Sequence, residues 1–182
     1  MCRCNRPKLK TNEKTIDWPG HWQLLLAACN SKTTSTAGAD STLIKNKATA
    51  MKTDKAFLAG DVDGVYKDCD TNYVEYGSGE MKPIKNLDTL KAGLKAFYAS
   101  YTNLKGENLH AYAGSNTVII TGDWSSTFSK DYMKRKATQK TTKIFDADIF
   151  TFNPNGKITS HKAIQSNIAY LYYEGSPLPP LQ

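Results

Sequence analysis

The chain has 182 residues, of which 40% are hydrophobic and 23% charged, and its formal net charge is +7. This length is enough for one domain with a hydrophobic core and short appendages. Residues 1–29 are richer in basic than in acidic side chains, so the positive excess is partly terminal. The other basic residues are scattered apart from Lys134-Arg135-Lys136. Nucleic-acid binding favours a continuous basic face with stacking aromatic residues, so the composition argues against a nucleic-acid partner.

The N-terminal segment ends in a pattern that resembles the lipobox of bacterial lipoproteins. Leu26-Ala27-Ala28-Cys29 matches the motif, and the small polar residues 30–42 resemble a flexible tether. The resemblance implies lipidation at Cys29 and a lipid-anchored place in the cell envelope, periplasmic or extracellular. The apolar stretch before Cys29 is short for a signal peptide, whose core spans about 7 to 15 residues. The alternatives are a misassigned start with the true leader lost, or an accidental motif in a cytoplasmic protein.

The four cysteines do not predict a metal site or a thiol nucleophile. Cys2 and Cys4 form at most half of a metal site, because no second pair of Cys or His follows at zinc-finger spacing. Cys69 lies at the end of a predicted helix, where a lone cysteine is usually a small buried hydrophobe. We therefore expect neither a metal nor another cofactor.

Two regions of the chain have helical periodicity. Between Leu43 and Asp70 apolar residues recur every three or four positions, and Gly60-Asp61 interrupts them. This predicts a long helix followed by a short one, with Asp61 as its N-cap and Cys69 near its end. A further amphipathic helix is predicted from Asn86-Leu87-Asp88 to about Asn103.

The remainder is rich in Thr, Ile, Val and aromatic residues, which is typical of strands. A Pro-Asn-Gly turn at residues 153–156 lies between two such runs and predicts a β-hairpin. The predicted strands are a short one at 71–76, a candidate second short piece at 81–86, and a meander at 108–113, 117–129, 141–152 and 157–169.

Helices that precede consecutive strands indicate an α+β fold. We expect a curved antiparallel sheet wrapped over three N-terminal helices, which would enclose a cone-shaped cavity. The expected domain organisation is a leader and tether at 1–42, the folded domain at 43–173, and a Pro-rich tail at 174–182.

The strand at 141–152 carries the strongest candidate site. Alternation places Asp146 and Asp148 on one face together with Ile144, Phe150 and Phe152. Large apolar groups beside two carboxylates suggest that this face lines the cavity, where burial would raise the pKa of an aspartate. The alternative is that both aspartates lie at the polar rim of an edge or dimer face.

His161 on the last strand is a second candidate, either a satisfied structural group or a proton-transfer group oriented by a neighbouring carboxylate. We take Asp146, Asp148 and His161 as candidate catalytic residues. Five further residues are predicted to contact a ligand, although plain packing is an alternative for the aromatic ones: Tyr73, Tyr76, Trp124, Phe150 and Gln165.

Four stretches resemble the SnoaL-like group of the nuclear-transport-factor-2-like superfamily: AFLAGDVDGVYKDCDTNYVEYGSG, NLDTLKAGLKAFYASY, VIITGDWSSTF and IFDADIFTFNPNGKITSHKAIQ. The resemblance covers residues 43–173. It implies a cone of curved sheet over three helices, commonly a homodimer, with a pocket between sheet and helices. Members include polyketide cyclases, ketosteroid isomerase, dehydratases, epoxide hydrolases and many binders. Many enzymatic relatives carry an Asp near the position of Ser166, where this chain has no carboxylate.

The sequence is compatible with three functions. The first is a binder of a small, mostly apolar organic molecule. The second is a lyase, isomerase or hydrolase that uses Asp146, Asp148 or His161 for acid–base catalysis. The third is a dimerisation or adaptor domain whose cavity is filled by its own side chains. Fold alone does not decide between them.

Overall fold

The computed structural model describes residues 36–79 and 82–178. The lipobox-like motif, the predicted lipidation at Cys29, and Cys2 and Cys4 lie outside the described residues. In the described part of the chain, no helix combines the length and the apolar character that crossing a membrane requires.

Three helices precede the meander, as predicted. α1 spans Thr36–Leu58, α2 spans Val62–Tyr66 and α3 spans Leu87–Ser100. The predicted caps are present, because the Asp61 side chain accepts a hydrogen bond from the Gly64 N–H at 2.9 Å and Asn86 accepts one from Thr89 at 2.8 Å. α3 ends three residues earlier than predicted because strand β2 begins directly after it.

Five strands form one sheet in the order β1-β5-β4-β3-β2. Their bounds are Cys69–Glu75 for β1, Tyr101–Gly114 for β2, Thr117–Phe128 for β3, Thr141–Phe152 for β4 and Ile158–Ala163 for β5. The α+β prediction and the antiparallel meander are confirmed.

The sheet is not antiparallel throughout, because β1 pairs with β5 in parallel. β5 ends the meander and leaves an unpaired edge, which β1 covers. Val74 pairs with Ser160 and Glu75 with His161. The sheet is therefore mixed, and its parallel pair brings the first strand beside the last.

The last predicted strand is too long. β5 ends at Ala163, and helix α4 follows at Asn167–Glu174. The Ser166 side chain caps this helix by accepting a hydrogen bond from the Ala169 N–H at 3.2 Å, and Gly175 ends it with a left-handed φ of 73°. Glu174, the first residue of the predicted tail, is the buried last residue of α4.

One face of the sheet packs on the helices and forms the core. The face predicted for β4 is the inward one, since Ile144, Asp146, Phe150 and Phe152 are buried while Phe145 is 60% exposed. Val118 and Ile120 on β3 are completely buried beside this face. The hydrophobic alternation therefore assigns the inner and outer faces correctly.

Candidate active site

A cavity of about 650 Å³ lies between the inward face of the sheet and the helices. Most of its wall is apolar, contributed for example by Phe57 and Leu58 on α1, Leu90 and Phe97 on α3, and Ile144 on β4. Polar and titratable groups interrupt this wall at a few positions only. Such a mostly apolar cavity with a few convergent polar groups is typical of small-molecule sites.

Six of the eight predicted site residues line the cavity: Tyr73, Trp124, Asp146, Asp148, Phe150 and His161. Tyr76 and Gln165 do not line it. Tyr76 is 41% exposed, directly after the end of β1. Gln165 instead donates its backbone N–H to Asp146 at 2.9 Å and its side-chain N–H to the Phe145 carbonyl at 3.0 Å. It supports β4 from outside the cavity.

His161 lies between two carboxylates. Its Nδ1 is 2.9 Å from Glu75 Oε1, and its Nε2 is 3.0 Å from Asp148 Oδ1. Glu75 is held in turn by the Tyr73 hydroxyl at 2.6 Å and by the Gly77 N–H at 2.8 Å. Both ring nitrogens of His161 and both oxygens of Glu75 therefore have fixed partners.

Electrostatics keep His161 positively charged. Burial alone would lower the pKa of the imidazole, but the carboxylates of Glu75 and Asp148 raise it well above 6.5. Burial likewise would raise the pKa of Glu75, yet the charge of His161 and the hydrogen bonds to Glu75 lower it. At neutral pH the imidazolium of His161 thus lies between the carboxylate of Glu75 and the side chain of Asp148. Because both ring nitrogens are occupied, His161 is poorly suited to act as a base itself.

Asp54 on α1 is a site residue that the sequence analysis missed. It lines the cavity and is only 4% exposed, and its Oδ2 has no hydrogen-bond partner in the described chain. Burial raises the pKa of Asp54 to about 8, and the Asp148 carboxylate adds to the rise while His161 opposes it. Asp54 is therefore a neutral carboxylic acid at pH 7.

A sequence signal for Asp54 did exist. It lies three residues after Met51 and three before Phe57, so it falls on the apolar stripe of α1 that faces the sheet. A carboxylate on such a stripe must be buried or paired, which marks it as a candidate site residue.

Asp146 has a different environment from Asp148, although both line the cavity. Its Oδ1 accepts hydrogen bonds from the backbone N–H groups of Ala147, Ile164 and Gln165 at 2.6, 3.3 and 2.9 Å. Its Oδ2 accepts one from the Tyr170 hydroxyl at 2.8 Å. These four bonds tie β4 to the start of α4, so Asp146 acts in the framework of the wall.

The other end of α4 is fixed by a buried ion pair. Glu174, which is 3% exposed, accepts hydrogen bonds from the Arg135 guanidinium and from the Tyr101 hydroxyl, the latter at 2.8 Å. Arg135 also lies over the Phe128 ring, with its Cζ 5.1 Å from the ring centroid. Since Tyr170, Leu171 and Glu174 line the cavity, α4 closes one side of it.

Trp124 contributes an unpartnered donor to the wall. Its Nε1 is buried and has no hydrogen-bond acceptor among the described residues. A buried polar group without a partner costs about 1–3 kcal/mol. No group of three or more His, Cys, Asp or Glu side chains in the described ranges could hold a metal ion.

Comparison with known proteins identifies a family and a fold. The family described as SnoaL-like domain matches residues 52–161. A proposed polyketide cyclase from Xanthomonas campestris shares 12% identity with a TM-score of 0.65, over 72% of this chain and 98% of that one. No curated protein sequence matches significantly.

Two further solved structures resemble this chain at similarly low sequence identity. AclR, a proposed hydroxylase from Streptomyces galilaeus, shares 18% identity with a TM-score of 0.61, over 73% of this chain and 97% of that one. An LEH-like epoxide hydrolase from M. tuberculosis shares 12% identity with a TM-score of 0.55, over 73% and 88%. At these identities the likeness establishes the fold alone.

Proposed function

The chain belongs to the SnoaL-like domain family, and from this premise we propose that its cavity binds a mostly apolar ketone and moves a proton on it by general acid–base catalysis. The observation that carries this proposal is the pair Asp54 and Asp148. Both line one cavity, but Asp54 is a neutral acid whereas Asp148 lies against an imidazolium. A neutral carboxylic acid and a second carboxyl group paired with a cation are suited to the roles of acid and base.

Asp148 is the proposed base. His161 binds its Oδ1, and no hydrogen bond to its Oδ2 is found within the described residues. The His161 ring lies against one oxygen of Asp148, and the other oxygen is available to a ligand atom. Glu75 positions His161 from the opposite side. We therefore assign proton removal to Asp148, and a positioning role to both His161 and Glu75.

Asp54 is the proposed acid. Asp148 removes a proton from the carbon next to the ligand carbonyl, while Asp54 gives its proton to the carbonyl oxygen. The product is a neutral enol, and the reverse transfers at another carbon would complete an isomerisation or support a carbon–carbon bond change. Similar solved structures include proteins named as a polyketide cyclase and an epoxide hydrolase, which supports an enzymatic use of this scaffold.

The test is hydrogen–deuterium exchange next to the carbonyl in a panel of cyclic ketones, followed by NMR. We expect exchange that Asp148→Asn reduces by about 100-fold or more, the usual contribution of a positioned acid–base group. The matched control is Asp123→Asn, which changes a carboxylate that pairs with Lys143 and Asn108 and is absent from the cavity wall. Unchanged exchange in Asp148→Asn would show that the assignment is wrong.

A second candidate function is binding without turnover. The observation that favours it is the apolar wall together with the full occupation of His161, which leaves little polar surface for a reaction. In that case the ketones bind, and no exchange is catalysed above the Asp148→Asn level. The open cavity speaks against the third alternative, an adaptor whose interior is filled by its own side chains.

We also propose an assembly state and a location. The protein forms a homodimer, and a lipid anchor at Cys29 holds the domain in the cell envelope. If the motif is accidental, the protein is cytoplasmic. Labelling with a radioactive fatty acid in a bacterial host, lost on Cys29→Ser, tests the anchor.

A further inference from the structure

Two polar atoms in the cavity wall lack partners. Asp54 Oδ2 and Trp124 Nε1 are buried and form no hydrogen bond with any described residue. Asp54 is only 4% exposed and Trp124 only 9% exposed. The third such atom of the described chain, Ser78 Oγ, belongs to a residue that does not line the cavity. Buried polar groups without a partner are rare in folded proteins. Two of them in the wall of one small-molecule cavity indicate that a ligand supplies their hydrogen-bond partners.

Both residues belong to the cavity wall, and Phe57 connects them. Trp124 packs edge-on against Phe57, with 6.4 Å between the ring centroids. Phe57 lies three residues after Asp54 on α1, which is about 4.5 Å along a helix. Trp124 therefore lies roughly one helical turn beyond Asp54 along the wall.

Both groups are hydrogen-bond donors. An indole N–H can only donate, and a protonated carboxyl group has one O–H to donate. A hydrocarbon would leave both unpaired, and a ligand with one carbonyl oxygen at Asp54 would leave Trp124 unpaired. A ligand with two acceptor oxygens at a matching separation satisfies both donors.

We propose that the ligand is a cyclic compound with two acceptor oxygens, one at the Asp54 carboxyl group and the other bound by the Trp124 indole N–H. This inference rests on the proposed function for the first oxygen, and adds Trp124 as the residue that selects diketones or hydroxyketones over monoketones. Both atoms are covered by neighbouring protein atoms, so a ligand reaches them only after the two side chains rotate.

The probes are decalin, decalone and decalindione, which share one fused-ring skeleton and carry no, one and two carbonyl oxygens. Their affinities for the full chain are measured by isothermal titration calorimetry. In the wild type we expect the diketone to bind about five- to tenfold more tightly than the monoketone, the contribution of one hydrogen bond to an otherwise unpaired donor. In nitrogen-edited proton NMR the Trp124 indole proton moves to lower field with the diketone only.

Removal of the donor gives the decisive comparison. In Trp124→Phe the affinity ratio of diketone to monoketone falls to about one, and replacement of Trp124 by benzothienylalanine, which keeps the shape and lacks the N–H, does the same. The second replacement decides the question if Trp124→Phe does not fold. Ser78→Ala is the matched control, since it removes an unpartnered group away from the cavity wall and leaves the ratio unchanged.

Three results overturn the inference: equal affinities of the two ketones in the wild type, a ratio that survives loss of the Trp124 N–H, or no binding of the diketone. Failure of the proposed function is recognised separately. Asp54→Leu should weaken both ketones, so if it changes neither, Asp54 is not the acid, while a Trp124-dependent ratio still stands.

Discussion

Glu75 on β1 and His161 on β5 are register partners across the parallel strand pair, and their side chains meet with 2.9 Å between Oε1 and Nδ1. Partners in a ladder point to the same face of the sheet, so the pairing itself directs both groups to one place. Because Asp148 approaches the ring from β4, three strands jointly fix one imidazole.

His161 should remain protonated at neutral pH, because the flanking carboxylates raise its pKa well above 6.5. Nitrogen-edited NMR of the intact protein should show protons on both ring nitrogens at pH 7 and no titration of this ring near 6.5. A His161→Gln spectrum identifies its signals, and a His110→Gln spectrum those of a histidine on β2 that does not line the cavity. A ring that titrates with an ordinary midpoint would contradict the charged state of His161.

Glu75→Gln should destabilise the protein in a defined pH window. The lowered pKa of Glu75 contributes stability above about 4.5, and the raised pKa of His161 contributes stability that is complete below about 6.5 and is lost as the pH rises through the folded value. The loss should therefore be largest between these two pH values, at about 3 kcal/mol for breaking a buried pair. Urea unfolding at several pH values across this range measures the loss of unfolding free energy. A loss that does not change with pH would exclude the electrostatic explanation.

Asp54→Asn should stabilise the protein, increasingly so as the pH rises. The native state holds the Asp54 proton up to a pKa of about 8, whereas the unfolded chain releases it near 3.8. Between these values the unfolded state binds fewer protons, so the wild type loses up to about 1.4 kcal/mol of unfolding free energy per pH unit. Urea unfolding at about pH 5, 6 and 7 should show the two proteins diverging, whereas Asp123→Asn serves as the control. Parallel curves would mean that Asp54 is ionised in the native state.

Arg135→Met should destabilise the protein by about 3–5 kcal/mol, because it leaves the buried carboxylate of Glu174 without a counter-charge. The double variant with Glu174→Leu should be less destabilised than the single one. Lys136→Met, which breaks an adjacent exposed pair with Asp131, should have little effect on the melting temperature. A double variant as unstable as the single one would show that packing, not charge, holds α4.

Met133→Asn combined with Lys134→Gly should stabilise the protein by about 1 kcal/mol. Both residues have positive φ, 47° and 65°, in a tight turn closed by the bridge between Tyr132 and Arg135. Asn-Gly is the sequence that such a turn prefers. Thermal unfolding measures the gain, and Lys130→Gly, at a position in the same loop without positive φ, should bring none. A loss in the double variant would show that the native side chains are needed there.

The predictable part of the site came from local patterns. The turn at 153–156 forms as expected, with the Asn153 side chain accepting the N–H groups of Asn155 and Lys157, each at 3.0 Å. The alternation of apolar and polar side chains along β4 placed Asp148 on the inward face. Successive side chains of a strand point to opposite faces, so only two assignments are possible. These features depend on residues close in sequence, and sequence analysis can therefore reach them.

The missed features depend on distant partners. The parallel pairing of β1 is set by contacts with residues far along the chain, such as His161, and nothing near Glu75 encodes the strand direction. The buried state of Asp54 follows from the packing of α1 over the sheet. α4 was missed because its residues are as apolar as a strand, although the Ser166 cap and Gly175 mark its ends.

The parallel strand pair also sets the order in which the molecule can be completed. The Glu75–His161 pair needs β5 and the Tyr101–Glu174 contact needs α4, so the hollow is enclosed only after α4 has been synthesised. Until then the unpaired edge of the meander and its apolar inner surface face water, which makes the growing polypeptide prone to association.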